Sequence, residues 1–138
     1  MENNMEYDNI FIKQDVSIDE YNLCNLAKKA VKVPTPDIIH YDRNSETMKL
    51  VKLRIPIIAE KYGDEDKHTP KETFKKIRKI VKKLWDCGIC YPDITSYNFL
   101  EDEKGFVYII DFGHAFVHVS TETPDQFVMQ FLLIRRLR

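Results

Sequence analysis

Glycine is scarce in this chain: the 138 residues contain four, Gly63, Gly88, Gly105 and Gly113, and none precedes Gly63. A glycine-rich loop, which cradles phosphates by bringing bare backbone N–H groups close to them, is therefore excluded from the N-terminal part. Long apolar runs are also lacking. No stretch approaches the roughly 18 residues of a membrane-spanning helix, and Met1-Glu2-Asn3-Asn4 has neither the basic nor the apolar region of a secretory signal. Cysteine is sparse and odd in number (Cys24, Cys87, Cys90), which without a signal peptide points to reduced thiols and to a cytosolic or nuclear protein. Cys87 and Cys90 have C-x-x-C spacing, but no second pair completes a zinc site, so both are expected to be packing residues. Excess charge of either sign is missing too. The 21 Lys and Arg against 22 Asp and Glu leave a net charge of -1, which excludes a global pull toward nucleic acid or lipid.

What is present is a globular balance, 43% hydrophobic and 31% charged. At this length a single domain over 1–138 is expected. Asn9 to Gln14 reads as a short strand that leads into Lys13. Ser17 then caps a helix carrying Tyr21, Cys24, Ala27 and Val31 at helical spacing, which stops before Pro34 and Pro36. Ser17-x-x-Glu20 has the form of a capping box, in which Glu20 folds back onto a backbone N–H. Asp42 to Glu46 is a polar turn, Met48 to Arg54 a strand ended by Pro56, and Ile57 to Tyr62 either a short helix or a last strand. Gly63 to His68 is a charged loop.

Thr69-Pro70-Lys71-Glu72 reads as a helix start with a capping box and proline at the first helical position. Phe74, Ile77, Val81, Leu84 and Trp85 form one apolar stripe, and Gly88 is placed to end the helix. Its other face carries Lys75, Lys76, Lys79, Lys82 and Lys83. A solvated face is the simple reading, with binding of an acidic partner or nucleic acid as the sharper one. Phe99-Leu100 and Phe106 to Ile110 form a hairpin around Glu101 to Gly105, and Phe127, Phe131 and Leu132 in the tail from Pro124 have helical spacing.

The chemistry gathers between Ile89 and Phe116. Asp93 and Asn98 stand in D-x-x-x-x-N spacing, and thirteen positions after Asn98 a strand-like run delivers Asp111-Phe112-Gly113. This order resembles the catalytic loop and the D-F-G of the protein-kinase-like superfamily. Asp93-Ile-Thr-Ser-Tyr-Asn98-Phe-Leu is similar to the D-L-T-T-S-N loop of the small atypical kinase of the KEOPS tRNA-modification complex. RIO and lipopolysaccharide-kinase-type folds are related minimal forms.

The resemblance implies an α+β, minimal kinase-like fold: a small antiparallel sheet and a helix (about 1–54) over a truncated, mainly helical lobe (about 55–138). It implies ATP and Mg²⁺ (or Mn²⁺) as cofactors. Asp93 would be the catalytic residue facing the acceptor hydroxyl, Asn98 and Asp111 would hold metal, and Lys13 would hold the phosphates and pair with Glu20. Read singly, these residues also serve as turn formers, a strand end, a solvated lysine and a helix cap. The strand after Met48 would end in a hinge that bonds adenine through backbone groups.

Three departures bear on function. The phosphate loop is missing, Tyr91-Pro92 stands where the family has His-Arg, and no A-P-E follows Gly113. Two readings stay open. One is an ATP- and Mg²⁺-dependent serine/threonine protein kinase with a protein substrate. The other is a catalytically weak, pseudokinase-like module that docks on a partner kinase or complex and regulates it.

Overall fold

The computed structural model describes residues 9–118 together with Val128, Phe131 and Leu132. Strand β1 (Ile10–Lys13) is a run of β-formers and pairs antiparallel with β3 (Thr47–Val51), setting Ile10 opposite Val51 and Lys13 opposite Met48. Strand β2 (Ile38–Asp42) joins the other side of β3, with an irregularity between Ile38 and His40, so the sheet order is β1-β3-β2. The β2–β3 turn forms because the Asp42 carboxylate accepts the Asn44 N–H at 2.9 Å and Glu46 takes a positive φ of 53°. The expected strand through Arg54 leaves the ladder at Val51. Lys52 is still tied to the carbonyl of Asn9 at 2.7 Å, and this short strip leads away from the sheet.

Helix α1 (Ile18–Leu26) is capped by Ser17, whose Oγ accepts the Glu20 N–H at 3.1 Å. It runs into a π-helical segment, Ala27–Val31, stopped by Lys32 in the left-handed region at φ 65°. Tyr21 stacks on Tyr41 with ring centroids 4.5 Å apart, and Tyr41 donates to the carbonyl of Val16, so helix and sheet are clamped together.

Helix α2 (Ile58–Tyr62) resolves the ambiguous stretch as helix, entered through a single bridge between Ile57 and Leu100. Helix α3 (Lys71–Asp86) buries Thr73, Ile77, Ile80, Val81 and Leu84. Phe74 and Trp85 lie half-buried at the edges of that stripe. The start of α3 differs from the expectation. Pro70 is the N-cap and no side chain caps the helix; Thr69 is buried, and its Oγ1 has no hydrogen-bond partner. The proline ring sits one position too early for the reciprocal Thr–Glu bonds of a capping box to form. Gly88, at φ 91°, turns the chain after Cys87.

Strand β4 (Ile89–Cys90) pairs with β7 (Phe116–Val117), and the hairpin of β5 (Phe99–Glu101) and β6 (Val107–Ile109) lies between them in sequence. Cys90 is fully buried, whereas Cys87 is exposed at the end of α3, so only one of the two thiols packs. One hydrophobic cluster runs from Val16, Leu23 and Met48 through Ile77, Leu84 and Tyr91 to Phe99, Ile109 and Phe112. Phe131 is helical and joins that cluster; Phe127 lies outside the described residues.

Candidate active site

A cavity of about 280 Å³ opens between the sheet and the β5–β6 hairpin, lined by Phe11, Lys13, Met48 and Leu50 on one side and by Leu100, Ile110, Asp111 and Phe112 on the other. Lys52 and Leu53, in the strip after β3, form part of its wall. Most of the lining is apolar; apart from Lys52, its charge is gathered in one group of residues. Such a shape suits a flat ring with a charged tail.

That group is Lys13, Glu20 and Asp111. Lys13 ends β1, and its Nζ hydrogen-bonds to the Glu20 carboxylate and, at 2.9 Å, to Asp111 Oδ1. Glu20 does not fold back onto the backbone as a capping box would require. Ser17 makes its half of the box, and the Glu20 carboxylate turns inward to Lys13, because a buried carboxylate gains more from a cation than from an amide. Burial alone would lower the Lys13 pKa, but the two carboxylates outweigh it and raise it. Burial would likewise raise the Asp111 pKa. The Lys13 ammonium and the Gly113 N–H, which donates to Oδ1 at 3.0 Å, bring it below the usual carboxylate range.

Asp111 adopts φ 63°, the left-handed region that costs an L-residue about 1–2 kcal/mol and that Asp tolerates better than most. The turn aims its carboxylate back across the cleft. A side chain at Gly113 would place its Cβ 3.1 Å from Asp111 Oδ1 and 3.4 Å from Glu20 Oε1, which explains glycine there. Tyr91, fully buried, donates to the carbonyl of Ile110 at 2.5 Å and meets Phe112 edge-on at 5.4 Å, so the residues on either side of Asp111 are fixed. Burial, then the nearby charge of Asp111 and Asp93, raises the Tyr91 pKa, so it stays a phenol donor.

Asn98 reaches the same region from the loop before β5. Its backbone carbonyl accepts the Ile110 N–H at 3.0 Å, which sets Asn98 beside the residue preceding Asp111. Its Nδ2 donates to both the carbonyl and Oδ2 of Asp93, each at 2.9 Å. These bonds engage Asn98 Nδ2 and Asp111 Oδ1, which leaves the Asn98 amide oxygen and Asp111 Oδ2 as hard oxygen donors of the kind that suits Mg²⁺ or Mn²⁺. Asp93 is partly exposed at the rim.

The sheet, the helix bearing Glu20, the catalytic-loop spacing and the D-F-G thus form one cleft. The RIO domain family model matches residues 9–130. The chain belongs to the RIO domain family. This places it in the protein-kinase-like superfamily, with an α+β minimal kinase fold. The RIO-type serine/threonine-protein kinase Rio2 of Methanocaldococcus jannaschii is 29% identical over 109 residues, covering 77% of this chain and 38% of Rio2. The serine/threonine-protein kinase PSK2 of Saccharomyces cerevisiae is 38% identical over 65 residues, covering 47% of this chain and 6% of its own length. The solved Cydia pomonella granulovirus kinase PK-1 superposes on 83% of this chain and 45% of its own, with a TM-score of 0.60 at 14% identity. WbdD does so with the same TM-score at 17% identity, covering 83% of this chain and 26% of WbdD. The RIO domain described here therefore spans well under two thirds of these relatives.

Sequence reasoning gave no role to Tyr91 and His114, which the structure places at this site, or to Glu101, which it buries against α2 and α3. Tyr91 was noted only as standing where the family has histidine. His114 follows the D-F-G and lies 3.6 Å from Asp93. Glu101 is buried at the end of β5, where it accepts from Lys61, Tyr62 and Thr73. A glutamate in a strand followed by polar turn residues was the available signal, but its three partners lie 28 to 40 positions away.

Proposed function

We propose that this RIO domain is an ATP- and Mg²⁺-dependent phosphotransferase acting on serine or threonine of a protein. The observation that carries the reading is the convergence of Lys13, Glu20 and Asp111 at the cavity of about 280 Å³, with the linked pair Asp93 and Asn98 joined to the segment before Asp111.

Lys13, held in place by Glu20, would neutralise phosphate charge. Asn98 and Asp111 would hold Mg²⁺, which supplies charge neutralisation on the phosphate oxygens when bound. Asp93 accepts the proton of the acceptor hydroxyl as its oxygen bonds to the γ-phosphorus and the bond to the bridging β–γ oxygen breaks, leaving ADP. Placement in the cleft contributes more here than covalent chemistry. Phe11 of β1 lines the cavity. No helix among the described residues is long and apolar enough to cross a membrane, and the reduced thiols favour the cytosol or nucleus.

The docking-module reading has one observation in its favour: none of residues 1–9, which precede β1, is glycine. Two measurements separate the readings. Ligand at about 100 times its Kd should add about 2.7 kcal/mol and raise Tm by roughly 10 °C. MgATP should therefore raise the midpoint where ATP with EDTA does not, and labelled phosphate should pass from ATP to a protein acceptor. Stabilisation without transfer to any acceptor, combined with inhibition of another kinase, would favour the docking module.

A further inference from the structure

His114 stands one position beyond the D-F-G and has a side chain that is 78% exposed, so packing gives no reason for an imidazole there. Its Nδ1 lies 3.6 Å from Asp93 Oδ2. The same oxygen accepts Asn98 Nδ2 at 2.9 Å. Two groups, one from the loop before β5 and one from the segment after β6, thus converge on Oδ2. None of the hydrogen bonds or ion pairs among the described residues engages Oδ1 of Asp93. An exposed pair of this kind contributes little to stability, so its effect has to be sought in the cleft.

We propose that His114 is a positioning residue for Asp93: it restrains Oδ2, together with Asn98, and so leaves Oδ1 aimed at the acceptor hydroxyl. The proposal rests on the phosphotransferase reading above. At 3.6 Å the pair is longer than a hydrogen bond, and a small rotation of the exposed imidazole brings Nδ1–H into bonding range. Pro92, directly before Asp93, brings no side-chain donor, so the second restraint on the carboxylate comes from His114 across the cleft. Once that bond forms, a carboxylate restrained at one oxygen from two directions swings less, and misplacement by about 1 Å is enough to cost a reaction on the order of 100-fold. The proposed bond also calls for one tautomer. A neutral imidazole keeps its proton on the nitrogen that faces an acceptor, here Nδ1.

The test uses the full chain. His114→Ala should lower kcat about 10- to 100-fold, with KM for ATP within about twofold and Tm unchanged. His114→Asn, whose amide nitrogen stands near the place of Nδ1, should recover most of kcat. Nitrogen-15 NMR of the unmodified protein should show the Nδ1–H tautomer of His114, shifting to Nε2–H in Asp93→Ala. Unchanged kcat in His114→Ala, an equal loss in His114→Asn, or an Nε2–H tautomer in the unmodified protein would each overturn the role of His114 and leave the phosphotransferase reading standing. If the unmodified protein transfers no phosphate, that reading falls and this role with it, whatever the tautomer.

Discussion

Lys13 Nζ lies 2.9 Å from Asp111 Oδ1, across 98 positions of sequence. The contact joins the end of β1 to the turn after β6, and Glu20 completes it from α1. Two neighbouring elements, β1 and α1, and one distant turn therefore depend on one ammonium group.

Removing that group has two effects. Lys13→Ala leaves Glu20, only 8% exposed, without its cation, and a stranded buried acceptor costs about 1–3 kcal/mol. It also removes the cation proposed to meet the phosphates. ATP affinity by titration calorimetry should fall more in Lys13→Ala than in Glu20→Ala, and urea unfolding should show the stability loss. The reverse order of affinities would mean that Lys13 does not meet the phosphates.

Asp111 occupies a left-handed turn, so the choice of replacement matters. Asn tolerates that region nearly as well as Asp, and Asp111→Asn should keep the fold while removing the charge proposed to hold metal. Nucleotide binding should lose most of its dependence on Mg²⁺. If the unmodified protein binds ATP equally well in EDTA, Asp111 and Asn98 are not metal ligands.

Asp93→Ala separates chemistry from binding. Asn98 keeps its bond to the backbone carbonyl of Asp93, so its amide stays anchored when the carboxylate is removed. MgATP affinity should stay almost unchanged while kcat falls about 100- to 10,000-fold, the usual contribution of a positioned acid–base group. A matching fall in affinity would assign Asp93 to binding instead.

Glu101 should set part of the acid sensitivity of the fold. Burial would raise its pKa, but the Tyr62 hydroxyl, the Lys61 ammonium and the Thr73 hydroxyl outweigh burial and lower it. A folded pKa below the unfolded one means that this stabilisation is present above the ordinary carboxylate range and is lost as pH falls through the depressed value. Urea midpoints measured from neutral pH downward should decline as Glu101 is protonated. Glu101→Gln should be less stable at neutral pH and decline less. An unchanged slope would remove Glu101 as a source of the acid response.

The lysines of α3 are unequal. Lys76 donates to the carbonyl of Gly105 at 2.5 Å and Lys83 to that of Lys32 at 3.3 Å, whereas Lys75 and Lys82 pair with Glu72 and Asp86 on their own helix. Lys76→Glu should cost about 1 kcal/mol, the net worth of a hydrogen bond, and Lys79→Glu less than that. Charge reversal over this face is also the test for an acidic or nucleic-acid partner. Binding that falls without a change in Tm would support such a partner.

Local signals decided much of this molecule. The β-formers before Lys13, Ser17 as a cap, the apolar stripe of α3 and the hairpin around Gly105 depend on neighbours within a turn or a strand, and a linear pattern can carry them. The order of Asp93, Asn98 and Asp111 was legible for the same reason: each sits at a fixed offset from a strand or loop. What the pattern could not decide was competition. Thr69 has the letters of a cap and is buried without a bond, because Pro70 fixes where the helix starts. Glu20 has the letters of a capping box and turns to Lys13, because the sheet brings an ammonium group to it. Cys87 and Cys90 share a motif and differ in exposure, because the chain turns between them at Gly88. The contacts of Asp111 with Lys13, of Glu101 with Lys61 and of His114 with Asp93 exist only after β1, α2 and the hairpin have packed on one core. Sequence by itself named the ionisable groups of the cleft, and the tertiary packing decided which of them share a charge, since a buried carboxylate takes whichever cation the fold delivers.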